Sequence, residues 1–219
     1  MSRGRTTRVV VPGGTRVAFA GDPIVLDTWG GALETGLGLA LDLAEAALGP
    51  LDVDVTVYCD ENDVIPEWGV GGYSVDRGLV LVAIDPSMPA NAEGLARTLV
   101  HELHHTRRRR DASLGATFAD VLVGEGLAVL VEAESFGGAP LFDGVDLPPV
   151  FVDETRSLLD ARDVDRGRWL HGAADVPRYF GYALGHALCR EFAASRHASA
   201  ASLAAVPTND VVAAFASRT

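Results

Sequence analysis

Residues 101–105 carry the pattern that most constrains this chain. They read His-Glu-Leu-His-His and hold half of its six histidines. On an α-helix, residues four apart leave the same face one turn apart, so a helical frame would aim His101 and His105 at one point. The preceding residues supply that frame, since Leu95, Leu99 and Leu103 recur at helical spacing after Asn91, a residue suited to the N-cap. The sequence therefore predicts a helix from about residue 91 that carries the motif.

Two histidines one helical turn apart suit a zinc ion, which prefers nitrogen ligands in tetrahedral geometry. A catalytic zinc site uses three protein ligands and leaves a fourth position for water. Glu102 projects beside the histidines without being a ligand, so it can act as general base toward that water. The motif predicts one Zn²⁺ ion on His101 and His105, with Glu102 as catalytic base.

A third zinc ligand must come from elsewhere, and Asp111 is the first candidate along the chain. It would complete a pattern in which a glycine at position 108, between His105 and Asp111, breaks the helix. Arg108 occupies that position. Glycine adopts the left-handed turn freely, whereas an arginine adopts it only at a cost in free energy. Asp111 is therefore disfavoured.

Glu125 is the better candidate for the third ligand. It lies in a second predicted helix, over residues 116–134, which an antiparallel helix pair could aim at the two histidines. Glu132 and Glu134 are alternatives on the same helix, and Glu132 lies two turns beyond Glu125 on nearly the same face.

Taken together, the two motifs resemble those of a known family. His-Glu-x-x-His followed by Gly-Glu-Gly-Leu-Ala at residues 124–128 resembles the gluzincin metallopeptidases. With the segment at residues 178–186, the chain is most similar to a bacterial family of predicted zinc-dependent proteases of unknown function, over roughly residues 50 to 195. The resemblance implies a zincin-like fold, zinc on His101, His105 and Glu125, Glu102 as base, and a peptide or protein substrate.

A metallopeptidase also needs a donor for the oxyanion of its tetrahedral intermediate. In a helix predicted over residues 177–195, Tyr179, Tyr182 and His186 form a polar stripe. We expect Tyr182 to donate to the oxyanion, with His186 as a second donor or as the group that orients Tyr182. The alternative is that these side chains line the edge of a core with their polar ends satisfied. His104 is expected to tune the site or to pack beside it rather than to bind the ion, and His171 to lie in a loop.

The remaining pattern predicts an α+β fold, in which a small N-terminal mixed or antiparallel sheet packs on a mainly helical body. Residues 1–219 are expected to form a single domain, with residues 1–20 as a loosely attached hairpin or edge strand. Strands are predicted at 52–59 and, centrally in the sheet, at 79–84, and the Gly-rich residues 68–73 are predicted to be an unpacked connection. Further helices are predicted at 31–48, 151–162, 198–206 and 209–217.

Zinc peptidases of this kind align the substrate as an added strand along a sheet edge. By this resemblance, we expect Val70 to Val75 or the strand after it to form that edge. The alternative is a flexible connection between strands.

Composition excludes several other classes of function. A net charge of −12 opposes nucleic-acid binding, which needs a concentrated basic face. No apolar run reaches the ~20 residues that span a bilayer, and the N-terminus is a poor signal peptide, so we expect a cytoplasmic protein that is not bound to a membrane. Cys59 and Cys189 are expected in the core, and the arginines at 107–110 are expected to be a solvated run at a helix end.

Two hypotheses of function follow. The first is a zinc metallopeptidase that hydrolyses peptide bonds with metal-activated water. The alternative is a non-catalytic, peptidase-derived module that binds a peptide or partner, with a structural or absent metal. The intact Glu102 favours the first, because a structural zinc has no use for a base. The sequence leaves the oligomeric state open.

Overall fold

The chain folds into five strands and seven α-helices in the computed structural model, which describes residues 7–10, 15–112 and 115–217. The α+β class predicted from the sequence is confirmed. The chain divides into two compact units, Met1–Arg107 and Arg108–Thr219. That residues 1–219 form a single zincin-like domain stays a prediction.

The first unit contains the sheet. Its elements are β1 (Thr7–Val10), β2 (Arg16–Ala20), α1 (Pro23–Leu48), β3 (Asp54–Cys59), β4 (Val70–Ser74), β5 (Leu79–Ile84) and α2 (Ala92–Asp111), of which residues 108–111 belong to the second unit. The strand order is β1-β2-β3-β5-β4. Strands β2, β3 and β5 run parallel, whereas β1 and β4 pair antiparallel with their neighbours, so the sheet is mixed.

Alternation along β3 and β5 gives the sheet one buried face. Val55 and Val57 on β3 and Val80 and Val82 on β5 are all at most 1% exposed. The interior position predicted for residues 79–84 is confirmed, since β5 lies between β3 and β4. The predicted N-terminal hairpin is also formed by β1 and β2, although its turn at residues 11–14 lies outside the described residues.

Helix α1 begins at Pro23, earlier than the predicted start at residue 31. The Asp22 carboxylate accepts a hydrogen bond from the Ile24 amide at 3.0 Å, and Pro23 fits the first turn. Burial of Trp29 and Leu33 holds this first part of the helix despite its two glycines. The predicted end is confirmed, with Gly49 at a φ of 77°.

Strand β4 corrects the prediction that residues 68–73 are an unpacked connection. Val70–Ser74 pairs with β5 over five residues and forms one edge of the sheet. The strand needs glycine at these positions because neighbouring groups leave no room for a side chain. A Cβ on Gly71 would lie 2.0 Å from the carbonyl oxygen of Asp63.

The second unit is helical. Its elements are α3 (Phe118–Phe136), α4 (Pro149–Leu158), α5 (Arg166–His171), α6 (Phe180–Arg196), a short 3-10 helix (Ala201–Leu203) and α7 (Thr208–Ala216). Helix α3 starts at a capping box, in which Thr117 and Asp120 satisfy each other's amides. The helix predicted at 198–206 is wrong, because only one 3-10 turn forms there. His171 was predicted in a loop, but it is the exposed last residue of α5.

Helices α3 and α6 approach closely at two glycines. A Cβ on Gly126 would lie 2.2 Å from the carbonyl oxygen of Gly185, and a Cβ on Gly185 would lie 2.3 Å from that of Leu122. Neither position can hold a larger residue without moving a backbone. The glycine that follows Glu125 in the sequence is therefore required by α6.

The arginines at 107–110 are not simply a solvated run. Arg108 is 2% exposed and donates hydrogen bonds to the carbonyl oxygens of Ala204 and Val206 and to Thr208. Burial lowers the pKa of its guanidinium. Arg107 donates to the carbonyl oxygen of Leu48 at the end of α1. No helix in the described part of the chain is both long and apolar enough to cross a membrane.

Candidate metal centre

Helix α2 brings His101, Glu102 and His105 together. Their ligand atoms all lie within 4.8 Å of one another. The Nε2 atoms of His101 and His105 are 3.1 Å apart, and their rings meet edge to face with centroids 4.8 Å apart. Buried Leu99 and Leu103 fix the opposite side of the helix, so the two histidines share a partly exposed face.

The geometry of the two histidines fits a zinc ion. Two nitrogens bound at 2.0–2.1 Å in a tetrahedron lie about 3.3 Å apart, close to the separation of these Nε2 atoms. Neutral imidazoles are also ligands that zinc prefers. The site can therefore hold one such cation between the rings with little rearrangement.

Glu102 is 7% exposed and is held against the edge strand β4. A Cβ on Gly72 would lie 2.6 Å from its Cγ and 3.1 Å from its Oε1. Glycine at position 72 is thus what allows the strand to lie against the carboxylate side chain.

A second contact joins β4 to the same helix. The Thr106 hydroxyl donates to the backbone carbonyl of Glu102 at 3.2 Å and lies 3.2 Å from the Ser74 hydroxyl. Both Thr106 and Ser74 are buried. Neither Gly72 nor Ser74 was predicted as part of the site, although the Gly-rich run at 68–73 could have indicated a close backbone approach.

His104 is fully buried, with its ring centroid 6.2 Å from that of His105. It lies outside the group of possible ligand atoms formed by its neighbours. It is therefore buried beside His105, next to the site.

The candidate third ligands belong to α2 and α3. Glu125 lies on α3 in the second unit and is partly exposed, and Glu132 on the same helix is 1% exposed. Glu134 accepts a hydrogen bond from the Ala200 amide, so its carboxylate is engaged within the second unit. Asp111 is the last residue of α2. Zinc ligation by Glu125 stays a prediction.

Tyr182 and His186 lie one turn apart on α6, within the second unit. The Phe142 ring stacks on Tyr182, with centroids 4.6 Å apart and planes 16° apart. His186 is 6% exposed, and burial together with nearby Arg190 lowers its pKa, an effect that Asp143 partly opposes. No sequence signal indicated Phe142, which lies in a Gly/Pro-rich connection.

Tyr179 does not belong to the helical stripe that the sequence predicted. Helix α6 begins at Phe180, and Tyr179 precedes it with a left-handed φ of 64°. Its ring lies under the guanidinium of Arg178, 4.3 Å from the centroid, and its hydroxyl accepts a hydrogen bond from the same group. Although Tyr179 lies outside the helix, its ring remains close to the pair on α6, 6.2 Å from the ring of Tyr182 and 4.9 Å from that of Phe142.

The fold and the site together define an α+β protein with a His-Glu-His cluster suited to a metal. A family model described as "Predicted Zn-dependent protease (DUF2268)" matches residues 40–213, and the chain belongs to this family. The name suggests a zinc protease, which agrees with the cluster on α2. A comparison with curated proteins finds no match.

Proposed function

We propose that this chain is a zinc metallopeptidase of the gluzincin type that hydrolyses peptide bonds. The observation that carries the proposal is the 3.1 Å separation of the His101 and His105 nitrogens beside Glu102. In this proposal His101, His105 and Glu125 hold the ion. A bound zinc ion would lower the pKa of a water ligand and polarise the substrate carbonyl.

The protein's own groups then have separate tasks. Glu102 takes a proton from the attacking water and returns it to the leaving amine. Tyr182 donates a hydrogen bond to the developing oxyanion, and the stacked Phe142 holds its ring in place. His186 either donates as well or orients Tyr182.

Strand β4 is proposed to align the substrate. An edge strand offers main-chain donors and acceptors that pair with a peptide of any sequence. The contact between Gly72 and Glu102 supports this role, because it puts the edge beside the proposed base.

The test combines zinc content with cleavage. We expect wild type to bind one zinc and to cleave peptides from a broad library. Glu102→Gln should keep the zinc and lose on the order of 10²- to 10⁴-fold in kcat, because only the base is removed. If wild type binds zinc but cleaves no peptide that Glu102→Gln leaves uncut, the chain is a binding module instead.

The ligand set has its own test. His101→Ala and Glu125→Ala should each weaken zinc binding, measured by competition with a chromogenic chelator. Asp111→Ala is the matched control and should leave it unchanged. Loss of zinc in Asp111→Ala with retention in Glu125→Ala would reverse the assignment.

A further inference from the structure

We propose that Tyr73 on β4 determines substrate specificity, and that the preferred peptide carries a large apolar or aromatic side chain on a residue flanking the scissile bond. This inference rests on the proposed peptidase function and names the class of substrate for that site. The contacts of β4 within the first unit carry it.

The hydrogen-bonding register of β4 shows which groups face its open edge. Val75 donates to Leu79, and Asp85 donates to the carbonyl of Gly69, so odd-numbered residues of β4 bond toward β5. Antiparallel pairs alternate, so the N–H and C=O of Gly72 point the other way. The carbonyl of Val70 does so as well, and it accepts from Ile65. Pairing with an added peptide can therefore begin at Gly72.

Gly72 also fixes which face of that peptide meets the base. The missing Cβ of Gly72 would point at Glu102. A peptide residue paired with Gly72 sends its side chain to the same face of the sheet, since paired residues share a face. Its two neighbours in the peptide send theirs to the opposite face.

Tyr73 occupies that opposite face. Tyr73 is 61% exposed and pairs with Leu81 on β5, and exposed Val75 lies beside it on the same face. On the other side, the backbone of Asp63 covers Gly71, so the open strip of this face begins at Tyr73. No described residue makes a ring contact or hydrogen bond with the Tyr73 side chain.

A peptide residue opposite Tyr73 would lie close to its ring. Because Gly72 forms the hydrogen-bonded pair, Tyr73 falls at a non-hydrogen-bonded pair, where side chains are closest. An aromatic or large apolar side chain there would cover the exposed ring, and pairs of this kind favour one peptide over another by roughly threefold to tenfold. Glycine or aspartate at the same position gains no such contact.

The experiment measures kcat/KM on peptides whose two residues flanking the cleaved bond are each Phe, Leu, Gly or Asp. We expect wild type to prefer Phe over Gly at one of the two positions, on the order of tenfold. Tyr73→Ser should bring this ratio close to one, and Tyr73→Phe should restore it, because the ring is what matters. A Tyr73→Ser enzyme with the wild-type ratio, or a wild type without any such preference, would overturn the inference.

Ile24→Ser is the matched control. Ile24 is also an exposed apolar residue, at 68%, but it follows β2, which β3 and β5 separate from β4. It should keep the wild-type ratio. If wild type is a dimer that Tyr73→Ser makes monomeric, the ring serves self-association and the inference fails.

A binding experiment distinguishes failure of the peptidase hypothesis from failure of the proposed role of Tyr73. If wild type and Glu102→Gln are equally inactive, binding of the same peptides to the zinc-loaded protein is measured by calorimetry. Phe peptides that bind about tenfold more weakly to Tyr73→Ser still support the role of Tyr73. Equal binding to both proteins, or none, overturns it.

Discussion

Among single residues, Gly72 has the sharpest consequence. A Cβ there would lie 2.6 Å from the Glu102 Cγ and 2.7 Å from the Thr98 Cγ2, closer than real side chains approach. We expect Gly72→Ala to displace Glu102 and to lower kcat by about 10²-fold, with one zinc still bound. Steady-state kinetics and zinc analysis on the same preparation check this.

Two variants sharpen the Gly72 test. Thr98→Ser removes the methyl group nearest to the new Cβ, so the double variant should recover part of the lost kcat. Gly38→Ala on α1 is the control, because nothing lies within 4 Å of its Cβ position. Wild-type kcat in Gly72→Ala would show that β4 and Glu102 are not sterically coupled.

Because His186 is buried, we expect the free energy of unfolding to decrease as the pH falls. Its pKa is lowered in the folded protein, mainly by burial, so the unfolded chain binds the proton first. This contribution is present above the unfolded pKa of about 6.5 and is lost as pH falls from there toward the folded pKa, with a slope of at most about 1.4 kcal/mol per pH unit.

Urea unfolding of wild type and His186→Gln across pH 7 to 5 isolates this contribution. The free energy of unfolding should fall less steeply in the variant, which cannot take up the proton. Parallel slopes would mean that His186 does not titrate differently in the folded and unfolded chains.

At the scale of elements, the crossing of α3 and α6 leaves no room for a larger residue at its two glycines. Gly126→Ala would drive a methyl group into the Gly185 carbonyl, so we expect a loss of about 1–3 kcal/mol or more in unfolding free energy. Gly30→Ala, in an open part of α1, should instead gain about 0.5–1 kcal/mol. Chemical unfolding of both measures the contrast, and equal effects would contradict it.

Within the second unit, Arg108 ties the last turn of α2 to the C-terminal segment. Arg108→Met would leave the carbonyl oxygens of Ala204 and Val206 without their donor, which we expect to cost about 2–4 kcal/mol in unfolding free energy. Exposed Arg162→Met is the control and should change the unfolding free energy by less than about 0.5 kcal/mol. A stability close to wild type in Arg108→Met would show that water replaces the guanidinium.

The sequence could predict a feature when the residues that form it lie close together in the chain, and could not when they lie far apart. The strand at residues 79–84 and the motif helix were predictable, because periodicity and caps are local signals. The role of Gly72, the burial of Arg108 and the stacking of Phe142 were not, because each depends on residues far away in sequence. The cluster of His101, Glu102 and His105 was predictable for the opposite reason, since all three lie on one helical turn.

For the whole molecule, metal binding should raise thermal stability. An ion that binds only the folded chain at 100 times its Kd adds about 2.7 kcal/mol, which corresponds to a rise in Tm of roughly 5–10 °C at this chain length. We expect a chelator to reverse this rise in wild type and to have no effect on His105→Ala. Calorimetric scans with and without zinc check it, and an unchanged wild-type Tm would contradict specific binding.

The strand order also has a consequence for the order of folding. The pair β4 and β5 is joined by only four residues, so it can close as a hairpin in about 1–10 μs. The parallel pair β2 and β3 must wait until α1 has bridged them, because a crossover closes a much longer loop. The edge that faces Glu102 is therefore expected to form early, and the interior of the sheet to assemble onto it.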